Sequence, residues 1–299
     1  MGTMREYILW SNCNNCCKFC WQQKKHDFTT FLNEQEMVQS IETTMLELDK
    51  ISNGDDVLLV GGEILNPYFD SVDDKLHELI DKCVDMIKND KIRFLYINTN
   101  LLYTNIKNLT YLLESFNGIE ERLKFTTSWD KFGRFTHKSG ERFGAEEIFI
   151  GNIRGLNHRY PKMNIVINVI ITKQLIESFD TPYIENNSIR WMASLKHDYY
   201  VVKYINYIPY IPVSNDRSMD VTFKDIIKVL AAQEKLQPGY INRYIDDFDM
   251  NQNKVLYEYH KDKGYVECTA KYADCHHNEN FKKVLGGECY ICKLKEVFR

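Results

Sequence analysis

The sequence predicts an α/β protein: a parallel sheet curled into an open, partial (β/α)6 barrel, followed by a small cysteine-rich C-terminal lobe. Three observations lead there. Short apolar segments alternate with amphipathic helical stretches, which is the order of a sheet covered by helices. The apolar segments carry hydrophobic residues on both faces, as strands buried on both sides do. The alternation then stops after Pro209 and Pro212, and most of the remaining chain is rich in Asp, Asn, Tyr and Cys.

The units run in order along the chain. Arg5 to Asn12 reads as the first strand, leading into a group of cysteines. Asn33 is placed to cap a helix with Glu36 three residues on, and Met37, Ile41, Met45 and Leu48 lie on one face of it. Asp56 to Val60 is a second strand, and Leu76, Leu79, Ile80, Cys83 and Ile87 stripe a second helix. Arg93 to Ile97 is the third strand, with a helix from Asn105 to Phe116 behind it. Leu123 to Thr127 makes a fourth strand, a helix falls within Glu146 to His158, and Asn164 to Ile171 is the clearest buried strand. Tyr199 to Ile208 completes the six. Thr222 to Leu236 is one further amphipathic helix, with Phe223, Ile226, Ile227 and Leu230 on a face. The domain division expected is 1–214 for the barrel and 215–299 for the lobe.

A chain of 299 residues buries a full core, and 44% hydrophobic with 27% charged residues excludes disordered and fibrous classes. The formal net charge of -4 provides no general field for a phosphate backbone, which argues against bulk nucleic acid as partner. No run is long and apolar enough to span a membrane and no basic-then-apolar start marks export, so the expected location is cytoplasmic. Nine cysteines are present, and eight of them fall in two tight groups near the two ends. In a reducing compartment such clustering points to metal ligation before disulfides.

The first group, Cys13-Asn14-Asn15-Cys16-Cys17-Lys18-Phe19-Cys20, carries the chemistry. Cys13, Cys17 and Cys20 are separated by three and then two residues. Three thiolates on a four-iron cubane leave one iron open to a ligand. A closed structural zinc site wants four ligands, which Cys13, Cys16, Cys17 and Cys20 could supply, although adjacent Cys16 and Cys17 are awkward on one metal. The set Cys13, Cys16 and Cys20 has the reversed spacing.

The three-then-two spacing, with aromatic Phe19 before the last cysteine, resembles the signature of the radical S-adenosylmethionine (radical SAM) superfamily. The resemblance covers residues 5 to 212. It implies an oxidoreductase in which Cys13, Cys17 and Cys20 hold a [4Fe-4S] cluster that reductively cleaves S-adenosylmethionine. Further positions are similar to the family's at successive strand ends. Gly61-Gly62-Glu63 resembles the motif that receives the methionyl ammonium, and Thr99-Asn100 the Thr-Asn-Gly turn, with Leu101 in place of the glycine. Ser128-Trp129-Asp130 resembles the Ser-x-Asp segment that contacts the cofactor. Arg134 resembles an arginine that pairs with the methionyl carboxylate in members with peptide substrates. Asn168 resembles the polar fifth-strand position that reaches the ribose or carboxylate. An ordinary glycine turn, a surface arginine and a satisfied core asparagine are the plain alternatives for Gly61-Gly62, Arg134 and Asn168.

The second group, Cys268, Cys275, Cys289 and Cys292, suffices for one closed metal site, with His276 or His277 as possible substitutes. Its resemblance to the SPASM or twitch extensions of radical enzymes implies a second [4Fe-4S] cluster, with zinc as the alternative. Cys83 reads as a core residue.

The expected reaction is hydrogen abstraction by a 5'-deoxyadenosyl radical from a peptide or protein, with an electron donor such as flavodoxin or ferredoxin. Two rivals stand beside it. One is modification of a nucleotide or nucleic acid base, stacked on Tyr199, Tyr200, Tyr204, Tyr207 or Tyr210. The other is a non-enzymatic zinc-binding interaction protein. Only 12 residues precede Cys13, so a peptide-modifying enzyme of this shape is expected to use a separate recognition partner or a self-sufficient pocket.

Overall fold

The structure is a computed structural model and describes residues 2–15, 17–20, 31–67, 69–103, 105–130, 134, 144–180, 187–210, 218–250, 254–260, 264–268 and 290–298. Six strands, β1 (Met4–Ile8), β2 (Asp55–Val60), β3 (Ile92–Asn98), β4 (Leu123–Trp129), β5 (Asn164–Ile171) and β6 (Val202–Pro209), lie side by side in chain order and all parallel. The expected partial parallel barrel is therefore the fold. The sheet continues past β1: β7 (Lys254–His260) pairs parallel with β1, and β8 (Gly264–Cys268) pairs antiparallel with β7. Residues on both sides of position 214 thus share one sheet.

The helices follow from local signals. Helix α1 (Glu34–Leu48) starts at a capping box in which Asn33 accepts from the Glu36 N–H and the Glu36 carboxylate accepts from the Asn33 N–H. It buries Met37, Ile41 and Leu48. Helix α2 (Asp70–Lys88) buries Leu76, Leu79, Ile80, Cys83 and Ile87, the stripe the sequence shows, and α3 (Lys107–Ser115) and α4 (Ala145–Arg159) follow β3 and β4. Two helices between β5 and β6 have no counterpart in the sequence reading: α5 (Lys173–Glu177), capped by the Thr172 hydroxyl, and α6 (Ser188–Asp198), capped by the Asn187 side chain. Helix α7 (Phe223–Leu236) opens on a Thr222–Asp225 capping box, and α8 (Tyr240–Met250) and α9 (Tyr290–Phe298) follow among the described residues.

The sheet has two unlike faces. In β5, Ile165, Ile167, Val169 and Ile171 are fully buried against the helices, each contributing about 1.5–3 kcal/mol of burial. The alternate residues Val166, Asn168 and Ile170 face the concave side and are only partly covered. A smaller apolar cluster of Ile8, Leu58 and Val60, with Met4 and Tyr96, fills the concave side at β1 to β3. The outer edge of β6 is blunted by α8, where the Tyr207 N–H donates to the Tyr240 hydroxyl at 3.0 Å.

The first strand is shorter than expected. Its ladder ends at Ile8, and after the Leu9 N–H reaches the Val60 carbonyl the chain exchanges ladder bonds for loop bonds: the Trp10 and Asn12 carbonyls accept from the N–H groups of Gly62 and Glu63, both at 2.9 Å. A buried Ser40 hydroxyl on α1 holds the Leu9 carbonyl at 2.9 Å. The cysteine loop therefore leaves the sheet from a point fixed by β2 and α1 together.

Candidate functional site

The cysteine loop springs from the C-terminal end of β1, where ligands bind in parallel barrels. Cys13, Cys17, Phe19 and Cys20 are half-buried residues, and the Cys20 N–H turns back to the Cys17 carbonyl at 3.0 Å. Cys16 and Trp21 lie outside the described residues.

Asparagines hold the loop, and of these the sequence reading singled out Asn100 but passed over Asn12, Asn14 and Asn15. Asn12 pairs through both ends of its amide with the Leu32 backbone at 2.9 Å. Asn14 donates to the Leu102 carbonyl at 3.0 Å. Asn15 is buried, its N–H donates to the Cys13 sulfur at 3.4 Å, and its side chain donates to the Cys17 sulfur at 3.3 Å and the Arg134 carbonyl at 2.9 Å. Asn100 adds donors to the Asn14 side-chain oxygen at 2.6 Å and the Cys13 sulfur at 3.7 Å. The visible signal was a run of three asparagines around the first cysteine, a residue type that bonds locally to backbone. Burial, and then the Glu63 carboxylate, push the Cys13 thiol up to about 12. A metal would reverse that order, since ligation requires the thiolate.

Gly61-Gly62-Glu63 meets this loop backbone to backbone. A methyl group at Gly62 would sit 1.9 Å from the Asn12 carbonyl oxygen, so the approach requires glycine. Glu63 is 0% exposed and accepts from the Thr99 hydroxyl at 3.0 Å and from the backbone N–H groups of Asn100 and Leu65. Its carboxylate is thus committed to donors of its own chain, tying the loop after β2 to the loop after β3. Burial still raises it to about 7. Thr99 also bonds the Tyr103 hydroxyl at 2.6 Å. Leu101, in the place where the resembled motif has glycine, adopts a φ of +56°, the left-handed conformation that glycine takes without strain.

Asp130 is fully buried at the end of β4, and its carbonyl accepts from the Arg134 N–H at 3.1 Å. Arg134 is 4% exposed, which removes the surface alternative. Its one side-chain hydrogen bond goes to the Thr127 hydroxyl at 3.3 Å, and its Nε has no partner among the described residues. A buried guanidinium with an unmet donor and no ion pair among those residues suits a carboxylate or similar anion.

Ser128 and Asn168 stand apart from that knot, in register with each other on the concave face. Asn206 of β6 extends the row. The loop cysteines, Gly61 to Glu63, Thr99, Asn100 and Arg134 are therefore one bonded assembly, and Ser128 and Asn168 lie along the sheet beside it. Of the C-terminal group, Cys268 ends β8 and Cys292 lies in α9, while Cys275, Cys289, His276 and His277 fall outside the described residues. Cys83 is a buried core residue, its thiol pushed up to about 12 by burial.

No protein-family model and no curated protein matches the chain. Among solved structures, the chain is similar to one described as native anSMEcpe with bound AdoMet, at 15% identity and a TM-score of 0.57, covering 95% of this chain and 83% of that one. It is equally similar to a histidine-tagged form of anSMEcpe with bound AdoMet, at 15% identity and a TM-score of 0.58, covering 96% and 81%. The likeness establishes a shared fold, the α/β partial parallel barrel described above.

Proposed function

We propose that this chain is a radical SAM enzyme, in which Cys13, Cys17 and Cys20 hold a [4Fe-4S] cluster and the neighbouring strand ends bind S-adenosylmethionine. The observation that carries the proposal is the cysteine loop itself: three thiols spaced three and then two residues apart, on a glycine-dependent junction at the end of β1, in a fold shared with a protein that holds AdoMet. A [4Fe-4S] cluster held by Cys13, Cys17 and Cys20 would supply the one electron needed for reductive cleavage of S-adenosylmethionine to methionine and 5'-deoxyadenosine, the hydrogen gained coming from a substrate carbon.

The residues fit that group. A cubane takes one thiolate at each of three corners, which Cys13, Cys17 and Cys20 would supply. Asn15 and Asn100 donate to sulfur, the kind of bond that tunes a cluster's potential. Arg134 has an unmet donor for the methionyl carboxylate, while Gly61 and Gly62 are taken up by the close approach of the cysteine-loop backbone and hold that loop in place. Phe19, Thr99, Asn100, Ser128, Asp130 and Asn168 shape the rest of the binding surface, in part by holding one another.

The substrate proposed is a peptide or protein, the electron donor a flavodoxin or ferredoxin, and the location the cytoplasm. None of the described helices is long and apolar enough to cross a membrane. The rival nucleotide reading narrows, because Tyr207 and Tyr210 belong to the buried core and Tyr204, 47% exposed, is on the concave face beside Asn206. The C-terminal cysteines are proposed to hold a second [4Fe-4S] cluster, or zinc.

The test is anaerobic reconstitution with iron and sulfide, followed by reductant and S-adenosylmethionine. Formation of 5'-deoxyadenosine and methionine is expected, abolished by Cys13→Ala, Cys17→Ala or Cys20→Ala and retained in Cys16→Ala. Full activity of Cys17→Ala would sink the assignment.

A further inference from the structure

Asn206 carries no motif in the sequence, and the structure gives it a task. Ser128 of β4, Asn168 of β5 and Asn206 of β6 pair in register across three adjacent parallel strands, so their side chains leave the same concave face in a row spaced by about 4.8 Å per strand. The Asn206 side-chain N–H donates to the Asn168 side-chain carbonyl at 3.4 Å. An amide whose carbonyl is held in this way has its two N–H donors left for something else. The Ser128 hydroxyl makes no hydrogen bond to any described residue. The row thus offers two amide donors and a hydroxyl to the concave face, with the Asn206 carbonyl as acceptor beside them. Ile170 and Ile208 lie above the Asn168–Asn206 pair and Val166 and Tyr204 below it, while on β4 Ser128 stands between Thr126 and Asp130 in the chain's alternation. Arg243 stands over the Tyr204 ring, at 4.9 Å.

The position along the sheet says which part of the cofactor this row meets. The cysteine loop stands over β1, and the sheet runs β1 to β6 in order. A ligand whose methionyl end reaches the cysteines has three to five strands to cross before β4, β5 and β6, so its nucleoside end lies over this row. A vicinal diol, in which each hydroxyl both donates and accepts, is the neutral group that such a mixed donor and acceptor row binds.

We propose that Asn206 is a positioning residue: by holding the Asn168 carbonyl it aims the Asn168 amide donors at the ribose of S-adenosylmethionine, alongside the Ser128 hydroxyl. The proposal rests on the radical SAM reading above. It assigns the orientation of Asn168, and with it the placing of the ribose, to a residue on the neighbouring strand.

The experiment is calorimetric binding of S-adenosylmethionine and its 2'-deoxy and 3'-deoxy analogues to the anaerobically reconstituted full chain, as wild type, Asn206→Ala and Asn206→Asp. Thermal melting of each variant checks that it folds. Asn206→Asp keeps the size but presents only acceptors, so Asn168 must turn its donors away from the ligand. Wild type is expected to bind one of the deoxy analogues about tenfold more weakly than S-adenosylmethionine, the usual loss for one hydrogen bond at a buried site. Both variants should bind S-adenosylmethionine about tenfold more weakly and lose most of that discrimination. Weakening of all three ligands by the same factor would assign Asn206 a merely structural role and overturn the proposal, as would unchanged affinities. Failure of the wild type to bind S-adenosylmethionine at all would instead overturn the functional reading on which it rests.

Discussion

The carbonyl oxygen of Asn12 occupies the space that a side chain on Gly62 would need, with a Cβ there falling 1.9 Å from that oxygen and 2.3 Å from the carbonyl carbon. Both obstructing atoms are backbone, so neither can swing aside. Gly62→Ala is expected to cost about 2–4 kcal/mol and to depress iron uptake by the loop, because the cysteines hang from this junction. Gly61→Ala meets mainly the Ile64 side chain, at 2.6 Å, which can rotate, and should cost less. Denaturant unfolding and iron content of the two variants check the order, and equal effects would refute it.

Glu63 makes the metal-free protein pH-sensitive in a defined direction. Its native carboxyl is raised from 4.5 to about 7 by burial, so the folded state holds the proton more tightly than the unfolded chain. Stability from this group is complete below about pH 4.5 and declines as pH rises through about 7, by on the order of 3 kcal/mol. Urea unfolding across that range should show the decline in wild type and a flatter profile in Glu63→Gln. Parallel profiles would mean that Glu63 is ionised at no cost.

Leu101 sets two effects against each other. Replacing it by glycine relieves a left-handed residue, worth about 1–2 kcal/mol. The same change empties a fully buried leucine site, which costs about 2–5 kcal/mol. Burial wins, and Leu101→Gly should lower the unfolding free energy. A more stable variant would show that backbone strain dominates at this turn.

The C-terminal cysteines are addressed by counting metal. A four-ligand cluster has no open iron, so its loss should spare S-adenosylmethionine cleavage while impairing product formation. Iron should approach about eight atoms per chain and fall to about four when Cys289 and Cys292 are both replaced by Ala. About four irons and one zinc in the unaltered protein would make the lobe a zinc-stapled cap.

Much of the barrel is legible because its signals are local. The Asn33 to Glu36 capping box and the Leu76 to Ile87 stripe need only residues a turn or two apart, and both form as read. The cysteine spacing and the Gly61-Gly62 pair are likewise contiguous. The strand β7 carries a strand signal of its own in the alternation of Lys254, Glu258 and His260 with apolar residues, but its place in the sheet was missed because its partner β1 lies some 250 positions away. Asn206 was missed for a related reason. Its meaning comes from strand register, which places it beside Asn168 and has no trace in the order of residues.

The pairing of β7 with β1 also sets a timetable. Arg5 reaches the Tyr257 hydroxyl at 3.2 Å, and Tyr7 stacks on the same ring at 5.2 Å, so the strand that launches the cysteine loop gains its second neighbour from a segment 252 residues downstream. At the usual pace of translation, about 5–20 residues per second, β1 waits roughly 10–50 seconds on the ribosome with one edge unpaired. Iron delivered during that interval would meet a loop rooted in a half-built sheet. The C-terminal segment thus closes the second edge of the first strand, and the cysteine loop is rooted in a complete sheet only after that segment is made.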